Sequence, residues 1–278
     1  MIVRRRFLAG ALSLAAMPRL ARADAQRLAL SGSMEQGGLA IGKTDTAARV
    51  TVDDSAVHLS QDGNFAFGFA FDRTTPAHIR VDYADGTNET RDVSPAARTY
   101  ETQSITGVPE QYVSPPPEVL ARIAHENQLI VAARTHDTDE NWFANGLDWP
   151  TTGIISSVFG SRRILNGKPM APHLGVDIAA PEGTPIRAPA NAIVAIADDY
   201  YLDGGFTLLD HGRGVFTCYL HQSKRLVKAG DTVTRGQQIG AVGKTGRATG
   251  PHLHWGLNWF QVKLDPSLST ATLAPSKS

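Results

Sequence analysis

Phe65, Phe67, Phe69 and Phe71 alternate strictly with Ala66, Gly68 and Ala70. A period of two marks a strand with one large-residue face and does not suit the 3.6-residue period of a helix. Asp62-Gly63 before this run, and Asp85-Gly86 after Ile79, Val81 and Tyr83, are hairpin turn signals. Residues 27–108 are therefore expected to form a small antiparallel β-sandwich of Ig-like type. The wider composition agrees: 26 Gly and 16 Pro in 278 residues, 42% of them hydrophobic, suit one or two β-rich domains better than a helical bundle.

Residues 109–150 read as a connection. Ser114-Pro115-Pro116-Pro117 is a stiff extended segment, and Val119, Ile123 and Ile130 at helical spacing predict a helix from Glu118 to about Arg134. Within it His125-Glu126 begins a zinc-protease H-E-x-x-H motif, but Leu129 stands where the second histidine belongs. Gly243-Lys244-Thr245 ends like a phosphate-binding loop, yet Gln238 replaces the required glycine. His58 and His78 stand alone and are expected to be surface or packing residues.

From residue 151 to 267 short runs are punctuated by turn residues, as in Gly183–Pro189 and Gly230–Gly240, which predicts a compact many-stranded antiparallel domain. Five of the nine histidines (173, 211, 221, 252 and 254) fall here. If residues 173–178 form a strand, His173, Gly175 and Asp177 share one face and Leu174, Val176 and Ile178 the other. His252, His254 and Gly256 alternate in the same way with Leu253, Trp255 and Leu257, and Thr217, Tyr219 and His221 put polar groups on one side of a third strand. Cys218, the single cysteine, is expected in the core with Phe216 and Leu220 and not as a nucleophile.

Any one of these histidines alone would be a hydrogen-bonded strand residue. Together His173, Asp177, His221, His252 and His254 point to a metal, and nitrogen donors with one carboxylate favour Zn²⁺ over Ca²⁺ or Mg²⁺. A catalytic zinc takes three protein ligands, which leaves two histidines for proton transfer and oxyanion stabilisation. Spacing alone leaves open which two. His211 is read as a turn residue outside this set.

The order H-x-x-x-D at His173 and Asp177, Tyr219-Leu220-His221, and H-x-H at His252 and His254 resembles the M23 zinc metallopeptidases, the lysostaphin- or LytM-like endopeptidases of bacterial peptidoglycan. The resemblance covers about residues 153–267. It implies a lysostaphin-like β metallopeptidase domain of the barrel-sandwich hybrid type, with one zinc on His173, Asp177 and His254, and with His221 and His252 catalytic. It further implies hydrolysis of stem-peptide cross-links, at a D-alanyl bond to a diamino acid. The stretch Ser161–Lys168 is expected to be a loop lining the groove, with Arg162 and Asn166 meeting the acidic peptides. A competing reading is a non-catalytic wall-binding activator of an amidase, with the N-terminal β domain as a protein contact surface. Sugar phosphotransferase IIA proteins and lipoyl-type carriers share the Gly-Asp-x-Val turns but account neither for His254 nor for the N-terminus.

That N-terminus has the layout of an export signal over residues 1–23: Arg4-Arg5-Arg6, an apolar run from Phe7 to Met17, then Pro18 and Ala21-Arg22-Ala23. The three arginines before Phe-Leu-Ala suggest the twin-arginine route, and the run falls short of the ~20 apolar residues of a spanning helix. A periplasmic protein without a stable membrane anchor is expected. The formal charge is zero, but setting aside the five arginines of that segment leaves 22 basic residues against 27 acidic ones. Nucleic acid is therefore not expected as a partner. Residues 268–278 are read as a tail.

Overall fold

The computed structural model describes residues 27–270, so the segment read as an export signal and most of the expected tail lie outside the described residues. The fold is mostly β. In chain order the first strands are β1 (Ala29–Gly32), β2 (Leu39–Lys43), β3 (Arg49–Val52), β4 (Ser55–Val57), β5 (Asn64–Gly68), β6 (Ala77–Asp82) and β7 (Asn88–Val93). They form two antiparallel sheets, β1-β2-β5 and β4-β3-β6-β7. Phe65, Phe67 and Phe69 fill the space between them with Val50, Ile79 and Val81.

The turn at Asp85-Gly86 closes the β6–β7 hairpin, with Gly86 at a φ of 85°. Asp62-Gly63 closes no hairpin: β4 pairs with β3 and β5 with β2, so this turn carries the chain from one sheet to the other. Nor does the Phe run form one strand to its end, since β5 stops at Gly68 and leaves Phe71 beyond it. Its small-residue face is buried too. Ala66 belongs to the core of the C-terminal half with Leu39, Leu253 and Leu264, and a Cβ on Gly68 would lie 2.8 Å from the Leu264 side chain. Small residues on β5 thus let one half of the chain sit directly on the other.

β8 (Thr102–Ile105) leaves the sandwich and pairs in parallel with a strand of the C-terminal half. Between them come α1 (Glu110–Val113) and α2 (Pro117–Ala133), the latter with proline in its first turn as expected. α2 buries Glu126 and Ile130; Glu126 accepts hydrogen bonds from Arg122 at 2.6 Å and from the Tyr201 backbone N–H at 2.9 Å. No helix among the described residues is long and apolar enough to cross a membrane.

The remaining strands are β9 (Ile154–Ser157), β10 (Arg162–Leu165), β11 (Lys168–Met170), β12 (Val176–Ala179), β13 (Pro185–Arg187), β14 (Ala192–Tyr200), β15 (Gly204–Asp210), β16 (Val215–Gln222), β17 (Lys224–Arg225), β18 (Thr232–Val233), β19 (Gln238–Ala241), β20 (His252–Trp259) and β21 (Val262–Leu264). The main sheet runs β18-β14-β15-β16-β20-β12-β9 with β21 also on β20, and β13-β19-β17 forms a small sheet of its own. Leu253, Trp255 and Leu257 of β20 and Tyr219 of β16 are fully buried in its core. The other face of β16, with Phe216, Cys218 and Leu220, packs toward Ile130 of α2. Cys218 is a free, buried thiol, pushed up by burial and therefore inert.

Candidate metal centre and active site

β20 lies between β12 and β16, and its register sets His254 opposite Asp177 on one side and Leu220 on the other. His252 shares the His254 face two residues earlier. His173 lies outside the strand expected over residues 173–178, because β12 begins only at Val176. It is held instead by backbone bonds: its N–H donates to the Ser161 carbonyl at 2.8 Å and its carbonyl accepts from Gly160 at 2.7 Å. Gly175 has the role of spacer. A Cβ there would lie 2.5 Å from both Cε1 and Nε2 of His254, so only glycine leaves that ring its place.

The result is a tight triangle. His173 Nε2 lies 2.8 Å from His254 Nδ1, and Asp177 Oδ1 lies 2.9 Å from each. Burial alone would raise the Asp177 carboxyl, but its contacts with His173 and His254 outweigh that and hold it well below the usual carboxylate range. Burial holds His254 down at about 4, so its imidazole is neutral at pH 7. His173 Nδ1 lies 3.2 Å from the Val158 carbonyl, which takes its proton and leaves the Nε2 lone pair facing inward, while Ser157 Oγ stands 3.0 Å away. Two nitrogen donors and an ionised oxygen converging on one point repel unless a proton or a cation lies between them. Their spacing is within about half an ångström of what donors at ~2.0–2.1 Å from a tetrahedral zinc require. The donor set fits a zinc ion.

His221 and His252 complete the cluster, with ring centroids 4.7 Å apart, and His221 is 6.4 Å from His254. His252 Nδ1 donates to the Gly250 carbonyl at 2.8 Å, and its Nε2 lies 4.0 Å from Asp177 Oδ1. His221 Nδ1 donates to the Thr245 carbonyl at 2.8 Å, and burial beside His252 and His254 pushes it down to about 3. All five residues singled out in the sequence therefore meet.

The route of His221 differs from the expected one. Thr217 and Tyr219 are fully buried on the core face, opposite the site, and strict alternation would send His221 there as well. Pairing with β15 slips between Gly205 and Thr207, so that β16 carries an extra residue, and His221 takes a φ of 65°. This bulge turns the side chain to the site face.

Ser161–Lys168 is not the expected loop but the β10–β11 hairpin, turning at Asn166-Gly167 with φ of 48° and 82°. Asn166 is used up structurally: its side chain donates to the Val108 carbonyl at 2.7 Å and accepts from the Val108 N–H at 3.3 Å. Arg162 is exposed and lines neither cavity beside the histidines. Its neighbour Arg163, which sequence reasoning passed over, donates to Asp177 Oδ2 at 2.6 Å. Adjacent strand residues face opposite ways, and no local signal marks which one faces Asp177. His211 is fully buried away from the site, bonded to the Asn191 carbonyl at 2.8 Å and the Thr217 hydroxyl at 2.7 Å. His58 and His78 are surface residues paired with Asp137 and Asp92, each at 2.6 Å.

Known proteins resemble this chain. Residues 171–266 match the model of peptidase family M23. Over 104 residues the chain is 46% identical to the peptidoglycan DD-endopeptidase ShyA of Vibrio cholerae, covering 37% of this chain and 24% of that protein. It is 42% identical over 101 residues to the DD-carboxypeptidase/endopeptidase Mpg of Neisseria meningitidis serogroup B, covering 36% and 23%. The chain thus spans about a quarter of the length of these relatives. A solved structure of a Pseudomonas aeruginosa protein assigned to peptidase M23 matches more of it, with 29% identity, a TM-score of 0.67, and coverage of 87% of this chain and 96% of that one. Residues 171–266 thus form a peptidase family M23 domain within this chain.

Proposed function

We propose that this chain is a zinc-dependent endopeptidase that hydrolyses peptide cross-links of bacterial peptidoglycan. The observation that carries the reading is the 2.8–2.9 Å triangle of His173, Asp177 and His254 with two further histidines beside it. The relatives named for peptidoglycan DD-endopeptidase activity support the substrate class.

Zinc on His173 Nε2, Asp177 Oδ1 and His254 Nδ1 would supply Lewis acidity to a water and to the scissile carbonyl. The chain's own residues account for the proton transfers. His252 donates from Nδ1 to the Gly250 carbonyl, so its Nε2 is an acceptor and takes the water's proton. The same proton is then delivered from His252 Nε2 to the departing amine, which leaves His252 neutral as it began. His221, fixed by Thr245 and held neutral by burial, would position the substrate and the water beside the centre. Arg163 holds the second Asp177 oxygen and keeps the first aimed at the metal.

Purified peptidoglycan digested by wild type, but not by His252→Ala, should yield new muropeptides identified by mass. Unchanged products with wild type would sink the reading and favour the amidase activator. Export to the periplasm through cleavage after Ala23 belongs to the same proposal; an intact mass that retains residues 1–23 after export would refute it.

A further inference from the structure

Beside the metal triangle lies a cavity of about 240 Å³ bordered by His173, His221 and His254 together with Arg163, Arg247 and Lys263. That is smaller than the ~300–1,000 Å³ of a typical ligand pocket, so it takes one residue and not a run of chain. A neighbouring cavity shares its Asp203, Leu220, His254 and Lys263 wall and adds Arg134 from the end of α2.

Arg163 is committed to Asp177. The other three cations have no such partner. Arg247 and Lys263 feel Asp203 only through space; Arg247 is half-buried and held below its usual value, while Lys263 lies at the exposed rim. Arg134 is 7% exposed, meets the Cys218 thiol but no carboxylate, and its Nε has no hydrogen-bond partner. Asp203, the one acid on these walls, is pushed up by burial and acts on the three cations only through space, so one acid faces three positive charges. Arg134 is a buried positive charge and Arg247 a half-buried one, each without a bonded carboxylate, and such charges are costly unless a ligand supplies the negative charge; Lys263 adds a third cation at the exposed rim. On the other side, the groove reaching His252 is lined by the uncharged Gln103, Ser104, Ser156 and Thr249 beside Asp177. The site is asymmetric: cationic on one side of the reacting centre and largely neutral on the other.

We propose that the recess of Arg247, Lys263 and Arg134 binds a free carboxylate on the residue adjoining the scissile bond, so that the chain selects peptides ionised at that position. The inference rests on the endopeptidase reading and narrows its substrate. A diamino dicarboxylic acid cross-linked through one amine keeps a carboxylate on the carbon that bears the scissile nitrogen. A lysine-type cross-link has none there. Arg247 offers a planar fork for such a carboxylate, and Lys263 adds a point charge.

The test uses two cross-linked peptides that differ only at that carbon, one a free acid and the other a carboxamide. Wild type is expected to cleave the acid with a kcat/KM about tenfold higher or more, mostly through KM, as loss of a charge-assisted pair implies. The ratio should fall toward one in Arg247→Gln and be partly retained in Arg247→Lys. Calorimetry on His252→Ala gives a readout without turnover: the acid should bind more tightly than the amide. Equal cleavage of both by wild type overturns the carboxylate inference and leaves the endopeptidase reading intact. Cleavage of neither overturns the endopeptidase reading, and equal binding in calorimetry then overturns the carboxylate inference as well.

Discussion

His221 reaches the site in a left-handed backbone conformation, φ 65°, that costs an L-residue roughly 1–2 kcal/mol. Glycine escapes that cost. His221→Gly and His221→Ala should both lose peptidase activity, yet in urea unfolding the glycine variant should be more stable than the alanine variant by about 1 kcal/mol. Equal stability would mean that the bulge relaxes when the imidazole is gone. Gly175 makes the opposite demand, since any Cβ there meets the His254 ring at 2.5 Å. Gly175→Ala is therefore expected to lower zinc content measured on the purified protein, with far-UV circular dichroism unchanged. His252 and His254 were legible from a period of two, and His173 and Asp177 from an H-x-x-x-D spacing around Gly175, while His221 joined them through the motif order that resembles the M23 peptidases. The bulge that redirects His221 was not, because nothing in Tyr219-Leu220-His221 itself announces an extra residue. It arises from the slip of β16 against β15.

β20 carries both halves of the function on opposite faces: His252 and His254 toward the site, and Leu253, Trp255 and Leu257 fully buried behind them. Leu253→Ala should cost about 2–5 kcal/mol in denaturant unfolding and loosen both His252 and His254, which flank it. β10 shows how a single step along a strand decides a role. Arg163 grips Asp177 Oδ2 at 2.6 Å, while Arg162 is exposed. Arg163→Ala is expected to weaken zinc binding about 10–100-fold in competition with a chelator, and Arg162→Ala to leave it unchanged. A helix from Glu118 to about Arg134 and a strand over 252–257 could be read from periodicity, and the structure has them at Pro117–Ala133 and His252–Trp259. The pairing of β8 with β10 could not, because parallel partners sixty residues apart share no local signal.

Across the whole molecule, the two β regions share one core: Leu39 and Ala66 pack with Leu253, Leu257 and Leu264, and Arg98 pairs with the buried Asp265 at 2.9 Å. Calorimetry should therefore give one unfolding transition, and two separated transitions would refute a shared core. Stability should also fall in acid. Burial holds His211 at about 4 against 6.5 for an ordinary histidine, so between those values the unfolded chain binds a proton that the folded one excludes. The stabilisation is complete above about pH 6.5 and lost as pH falls toward 4, up to about 3 kcal/mol. His211→Gln should flatten that slope in chelator-treated protein. The chain's residue pattern by itself determined the β class, the helix over the linker and the five residues of the centre, because period, turn residues and donor chemistry are local properties. Only the tertiary structure decided that β5 buries both of its faces, that Arg163 and not Arg162 serves Asp177, and that His221 turns to the site. Each of these depends on register between strands distant in sequence, and register is set by which faces find a core to enter.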